Sequence, residues 1–272
     1  MTPTAIPSPL RSGISFDELA QEFQAAKPFH HIVLDNFLRD DVAREVAAEF
    51  PAYNGPVWNE YNNAIEVKKA YNHWDKFPPA TYRLLNFLNS PEFTAEMAKL
   101  AGIGLYSDPG LHGGGWHSHG PGGKLNMHLD YSIHPKSGLE RRLNLILYLQ
   151  PAWNTSWGGA LGLWENDAQN QRPGALAKEI DCIFNRAVIF DTSQNSWHGL
   201  PDPVGCPVET PRNSIAVYYL SAPRQAASER GRALFAPTAN QADDPEILEL
   251  IKKRSQVGTS GSVYRQGAND KK

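Results

Sequence analysis

The stretch Asn126-Met127-His128-Leu129-Asp130-Tyr131 decides how the rest of this chain is read. It sets an imidazole and a carboxylate two residues apart. On a β-strand, residues i and i+2 point to the same face, so His128 and Asp130 can grip one metal ion from one side. A second imidazole, His198, follows seventy residues later in Asn195-Ser196-Trp197-His198-Gly199. Arg212 comes fourteen residues after that, in Pro211-Arg212-Asn213-Ser214.

The chain around this stretch is long enough to build a core. It has 272 residues, of which 41% are hydrophobic and 20% charged, with a formal net charge of −3. That balance gives no electrostatic footprint for a nucleic-acid partner. Cys182 and Cys206 are too few for a disulfide scaffold and lack zinc-motif spacing, so they read as two reduced thiols of a cytoplasmic protein. No apolar run approaches the roughly twenty residues of a membrane span, and the first residues show no signal-peptide pattern. The 22 Gly and 21 Pro fall mostly between short apolar runs, which favours many strands and turns.

Three regions follow from the pattern. Residues 1–100 read as a helical support packed on the core, residues 101–223 as a β core, and residues 224–272 as an extension with one helix, all within one structural domain. Residues 1–13 read as a loose arm. Ser15 with Glu18 fits a capping box opening a helix to Ala25, and Asp40-Asp41 opens a second. Helices are expected over 79–89 and 91–100, each with Pro in the first turn, where its missing N–H costs nothing. Short strands are expected at 64–67, 105–106, 123–131, 142–150, 159–164, 179–184, 187–191 and 215–220. A last helix starts near Asp243-Asp244-Pro245, with acids at its start and bases at its end, and the chain from Gln256 reads as frayed. Seven short strands after residue 101 argue for an antiparallel sandwich or barrel rather than βαβ units.

Taken singly, His128 could be a strand residue, His198 a packed turn histidine and Arg212 a surface cation. Taken together and in this order, they point to a site. Two His and one carboxylate on one face of an octahedral metal, with positions left open, is the ligand set of non-haem Fe(II) oxygenases. The stretch from Gly113 to Ser221 resembles the Fe(II)/2-oxoglutarate-dependent oxygenases of the prolyl-4-hydroxylase-like branch. The residues that carry the resemblance are His128-Leu129-Asp130, Tyr148-Leu149-Gln150 with Trp153, the Gly158-Gly159 hairpin, the apolar strand Val188-Ile189-Phe190 leading to His198, and Arg212.

The resemblance implies a double-stranded β-helix, or jelly-roll, core braced by N-terminal α-helices. It implies Fe(II) held by His128, Asp130 and His198, with 2-oxoglutarate and O2 as co-substrates. Arg212 would anchor the distal carboxylate of 2-oxoglutarate, assisted by the Tyr148 hydroxyl and by Ser214, which shares its strand face with Arg212. The reaction implied is hydroxylation of an amino-acid, peptidyl or small-metabolite C–H bond, with release of succinate and CO2. Halogenating relatives lack the carboxylate ligand, and here Asp130 is present.

Some details depart from the family pattern. The gap between His198 and Arg212 is long, Gln150 stands where Asn is usual, and Trp116-His117-Ser118-His119 replaces a tyrosine. His117 or His119 could bond the co-substrate or substrate, or be solvent-facing loop residues. His112 and His134 read as surface groups. Residues 110–123, with seven Gly, read as a flexible lid or hairpin. Asn59 to Asn63, Trp74 and Trp164 are candidates for the substrate opening, weighed against a plain core role for the aromatics. The rival readings are a JmjC-type demethylase, a cupin-like metal-binding or sugar-modifying protein without use for 2-oxoglutarate, and a relative with a structural metal. JmjC enzymes usually anchor 2-oxoglutarate with Lys, which argues against the first. Cupins usually present paired His before a Glu, which argues against the second.

Overall fold

Local signals start most of the helices. In the computed structural model, which describes residues 7–263, α1 (Phe16–Ala25) begins where the Ser15 side chain accepts the Glu18 amide. β1 (His31–Leu34) and α2 (Asp40–Ala48) follow, then the hairpin of β2 (Asn59–Asn62) and β3 (Glu66–Tyr71). α3 (Pro79–Leu88) and α4 (Pro91–Ala101) both open on proline. The remaining strands are β4 (Tyr106–Ser107), β5 (Gly115–His119), β6 (Lys124–Leu125), β7 (His128–Leu129) and β8 (Glu140–Tyr148). They continue with β9 (Leu161–Asp167), β10 (Arg172–Ile180), β11 (Ala187–Asp191), β12 (His198–Gly199), β13 (Arg212–Ser221) and β14 (Leu234–Phe235). α5 (Pro245–Ser255) closes the series, with the Asp244 side chain accepting the amides of Glu246 and Ile247.

The strands form two antiparallel sheets. The major sheet runs β1-β11-β8-β13-β5-β3-β2, with β4 beside β13 and β6 beside β3. The minor sheet runs β10-β9-β12-β7-β14. The short strands argue for an antiparallel sandwich or barrel and the resemblance implies a jelly roll; the two sheets are that jelly roll, and strand alternation divides its two faces. Leu143, Leu145 and Leu147 of β8, and Ile215, Val217 and Tyr219 of β13, pack on the helices through Phe16, Phe23, Leu84, Leu88, Phe93 and Met97. Each such side chain, fully buried, contributes about 2 kcal/mol from removal of apolar surface from water. The alternate residues Asn144, Ile146, Arg212, Ser214, Ala216 and Tyr218 face the other way, into a cavity between the sheets. The helices therefore hold the major sheet from behind and leave its front for chemistry.

Several local expectations are corrected. The arm is pinned from Pro7 on: Leu10 bridges Leu38, and the Arg39 amide donates to the Pro9 carbonyl. The expected strand at 64–67 lies two residues later, as β3, because Lys68 and Lys69 pair with Tyr61 and Glu60 of β2. Of the strand expected at 179–184, only Glu179 and Ile180 are strand, as the end of the longer β10, and 181–184 run on without strand pairing. The Gly-rich stretch is not a lid. It contains β5, a central strand bonded to both β13 and β3. Glycine is required at its start: Gly115 has φ +83°, and a Cβ there would lie 2.2 Å from the Tyr71 carbonyl oxygen. The tail from Gln256 forms a short 3-10 helix at Ser260–Val263, and the residues after it lie outside the described ones.

Candidate active site

Two short strands bring the first-quoted stretch to its partner. His128 on β7 and His198 on β12 are directly opposed in the antiparallel pair, and their ring centroids lie 4.2 Å apart. Asp130 Oδ1 is 3.9 Å from His128 Nε2, and Asp130 Oδ2 is 3.8 Å from His198 Nε2. One donor atom from each of the three residues lies within 4.8 Å of the others. All three side chains are buried.

The backbone sets which imidazole nitrogen is available. His128 Nδ1 is 3.0 Å from the Asn126 carbonyl oxygen, and His198 Nδ1 is 2.8 Å from that of Ser196. A carbonyl only accepts, so each Nδ1 carries the proton and each Nε2 keeps its lone pair facing Asp130. Burial lowers both imidazoles below their usual range, His128 further because the His198 ring lies beside it. Neutral rings with an outward Nε2 suit a divalent metal. Burial works against the Asp130 carboxylate, but the Arg141 guanidinium beside it, foremost, holds it below its ordinary value.

Arg141 is a site residue with no signal in the sequence pattern. Its neighbours Leu143, Leu145 and Leu147 face the helices, yet its own side chain lines the cavity. The register of β8 against β13 slips between Tyr219 and Leu220, which turns Arg141 to the other face. Its guanidinium lies between the rings of Tyr131 and Tyr218, 3.3 Å from each centroid, and 3.5 Å from Asp130 Oδ1. It also donates to the His112 carbonyl at 2.6 Å. Asn144 Nδ2 reaches Asp130 Oδ2 at 3.4 Å, and Arg230 Nη2 donates to the Asp130 carbonyl at 2.7 Å.

Arg212 lines the same cavity and is 3% exposed. Its Nε donates to the Gly159 carbonyl at 2.6 Å and its Nη2 to the Tyr148 hydroxyl at 3.2 Å. Gly159 has φ +73°, and a Cβ there would meet Arg212 Cδ and the Trp153 ring at 2.9 Å, so the Gly158-Gly159 hairpin is what lets this guanidinium lie flat. No carboxylate pairs with Arg212 among the described residues. A buried guanidinium bonded only to neutral oxygens fits an anionic ligand. Burial, only partly offset by the Arg212 charge, pushes the Tyr148 hydroxyl up to about 12, so it stays a neutral donor. Ser214 is buried on the same face two residues from Arg212.

The histidines of the Gly-rich stretch are placed differently from a solvent-facing loop. His117 and His119 both line the cavity, and His119 is 3% exposed, with neither ring nitrogen hydrogen-bonded. His119 sits opposite Arg212 in the β5–β13 pair. His134 is buried 3.5 Å from Asp108, and His112 lines the cavity beside Arg141, so neither is a surface group. Asn59 and Tyr61 reach the cavity as candidates for its opening, whereas Trp164 packs with Leu129, Trp197 and Ala236, and Trp74 donates to the Pro109 carbonyl.

An antiparallel jelly roll with two His and one carboxylate converging between its sheets defines the class: a candidate mononuclear metal protein with an anion pocket beside the metal. Residues 114–220 match the family described as the 2OG-Fe(II) oxygenase superfamily. The matched segment contains His128, Asp130, His198 and Arg212, and the curated proteins the chain is similar to include prolyl hydroxylases. The chain is 33% identical over 79 residues to prolyl 3-hydroxylase OGFOD1 of Mus musculus, 29% of this chain and 14% of that one. It is 41% identical over 58 residues to the Xenopus laevis protein of the same name, 21% of this chain and 11% of that one. The chain thus spans a small part of the curated relatives it matches.

Among solved structures, the fold resembles a prolyl hydroxylase from Trichoplax adhaerens in complex with a hypoxia inducible factor oxygen degradation domain peptide. The TM-score is 0.53 at 18% identity, covering 76% of this chain and 90% of that one. A Pseudomonas putida prolyl-4-hydroxylase gives 0.53 at 16% identity, covering 75% and 98%. HygX from Streptomyces hygroscopicus, with nickel, 2-oxoglutarate and hygromycin B bound, gives 0.50 at 11% identity, covering 75% and 86%.

Proposed function

We propose that this protein is an Fe(II)- and 2-oxoglutarate-dependent dioxygenase that hydroxylates an amino-acid, peptidyl or other small-metabolite C–H bond. The observation that carries the reading is Arg212. It is a buried guanidinium without a carboxylate partner among the described residues, on the wall of the cavity that also holds His128, Asp130 and His198. A cupin-like protein with no use for 2-oxoglutarate has no role for such a group.

His128, Asp130 and His198 would hold the ion, beside a cavity in which a co-substrate would have room to reach it. When bound, Fe(II) couples oxidative decarboxylation of 2-oxoglutarate, to succinate and CO2, to insertion of the second oxygen atom of O2 into a substrate C–H bond. The chain's own part is placement. The Asn126 and Ser196 carbonyls orient the two imidazoles, and Arg141 keeps Asp130 ionised against its burial. The N–H groups of Arg212 not used on Gly159 and Tyr148, together with the Tyr148 O–H, are donors available to a carboxylate, with Ser214 on the same face and neutral His119 alongside. Phe190 edge-on to His198, and Phe235 stacked on His128, close the ligand rings against water.

Relatives bracket the substrate without choosing it, since one neighbour holds a peptide and another holds hygromycin B. Release of succinate from 2-oxoglutarate, measured with Fe(II) and O2 across a panel of amino acids, peptides and small metabolites, tests the reading. Asp130→Ala is expected to abolish turnover, because two imidazoles alone hold the ion poorly. No binding of 2-oxoglutarate to the metal-loaded protein by calorimetry, together with no succinate, would sink it.

A further inference from the structure

The cavity carries more positive charge than the proposed reaction uses. Lys68, Arg141, Arg212, Arg232 and Arg254 line it, and among the described residues Asp130 is the one carboxylate in its wall. Glu66, buried at its edge, lies 3.5 Å from Lys68 Nζ and 2.9 Å from Arg254 Nε. Among the described residues, five cations against these two carboxylates leave three positive charges. A divalent ion and a dianionic co-substrate cancel one another, so the surplus persists when both are bound.

The cations differ in how they are occupied. Arg212 is assigned to the co-substrate. Arg141 is held by Asp130 and two tyrosine rings. Arg254 and Lys68 share the single charge of Glu66. Arg232 pairs with no carboxylate among the described residues, and its buried Nε has no hydrogen-bond partner. The cavity imidazoles His112 and His117 are neutral and add no charge to the surplus. Burial, and then the charge of Arg141, takes His112 down to about 4; burial, and then the charge of Lys68, takes His117 down to about 3. Cations kept in a largely buried cavity are costly unless an anion joins them.

Two of these residues come from separate parts of the chain. Lys68 is on β3, its Nζ 5.2 Å from the Tyr61 ring centre. Arg232 lies just before β14, in the segment that pairs with β7 over the metal-ligand strand. That segment is anchored where the Ala236 amide donates to the Met127 carbonyl and Arg230 to that of Asp130. Its position is set by the site it covers.

We propose that the substrate of this site carries an anionic group, a carboxylate or a phosphate, and that Lys68 and Arg232 hold it apart from the Arg212 anchor. The inference rests on the dioxygenase reading, because it assigns 2-oxoglutarate to Arg212. It makes the C-terminal segment a determinant of substrate choice.

The test uses the full chain loaded with Ni(II), which does not turn over, and saturated with 2-oxoglutarate. Calorimetry at low ionic strength then follows addition of inorganic phosphate, of propionate, and of neutral propionamide as control. One of the two anions is expected to bind saturably, and which one distinguishes phosphate from carboxylate; propionamide is expected not to bind. Lys68→Gln and Arg232→Gln should each weaken that binding about tenfold, the scale of one charge-assisted hydrogen bond. Arg232→Lys, which keeps the charge, should retain most of it. The residues lie on different elements, so either variant alone decides the matter if the other fails to give a cooperative thermal melt. The proposal is overturned if neither anion binds while 2-oxoglutarate does, if propionamide binds equally, or if the folded variants bind like the wild type. Failure of 2-oxoglutarate itself to bind the wild-type protein would remove the dioxygenase reading, and this proposal with it.

Discussion

Phe235 lies flat on the imidazole of His128, with ring centroids 5.0 Å apart and planes 20° apart. The contact joins a residue near the C-terminus to a proposed metal ligand more than a hundred positions earlier. It exists because β14 and β7 pair, Phe235 opposite His128. On its other side Phe235 packs with Ile65 and Ile251 of α5, so the last helix is built into the wall behind the site.

Truncating that ring tests the wall. Phe235→Ala is expected to lower stability by about 3 kcal/mol, the cost of deleting a buried aromatic and leaving a cavity. It should also weaken metal binding, since His128 loses the surface that fixes its ring plane. Chemical denaturation and metal titration of the same variant check the two effects. Full stability with unchanged metal affinity would show that the stack does neither.

Arg212 and Tyr148 should separate by size of effect. Arg212→Ala is expected to raise the 2-oxoglutarate concentration needed for half-maximal succinate release about a hundredfold, since it removes a buried charge-assisted pair. Tyr148→Phe removes one neutral hydroxyl and should cost about fivefold. Arg212→Lys should recover little, because an ammonium cannot reproduce the fork that reaches Gly159 and Tyr148 together. An unchanged requirement in Arg212→Ala would move the anchor elsewhere.

A pH dependence follows from Glu140, which closes β8 against the chain after β13. Its carboxylate is buried, which alone would raise its pKa, but hydrogen bonds from the Arg224 side chain and amide outweigh burial and hold it below its usual value. A carboxyl group whose folded value is depressed stabilises the fold above its unfolded pKa, and that stabilisation is lost as pH falls through the folded value. Glu140→Gln is therefore expected to cost about 1 kcal/mol at pH 7, a modest figure because Arg224 is half-exposed. The stabilities of the two proteins should converge as pH drops below the ordinary carboxylate range. Denaturation curves at several pH values measure this, and a constant difference would contradict it.

Much of the framework is legible residue by residue. Ser15 and Asp244 mark helix starts by chemistry that acts within three residues; Ser15 caps as expected, and Asp244, one of the acids expected at the start of the last helix, is its N-cap. The strand at 187–191 is an apolar run bounded by turn residues, and its ends fall where expected. The Gly-rich stretch shows the opposite case. Its composition reads as a loop, yet Trp116 and Ser118 face the helices while His117 and His119 face the cavity. That order comes from hydrogen bonds to β13 and β3, strands about a hundred and about fifty residues away. Arg141 shows it again, because its inward turn follows from a slip in pairing that no local pattern encodes.

The sequence by itself determined the donor types and their order: His128 and Asp130 two apart, His198 and Arg212 downstream, on short strands that alternate their faces. Those are covalent spacings, and strand geometry converts them directly into shared faces. Only the tertiary structure decided which other groups meet them. Arg141 beside Asp130, Phe235 on His128, His119 opposite Arg212, and Lys68 and Arg232 lining one cavity are juxtapositions of distant segments. They depend on which strands pair and in what register, a choice made by the packing of the whole chain and by no single stretch of it.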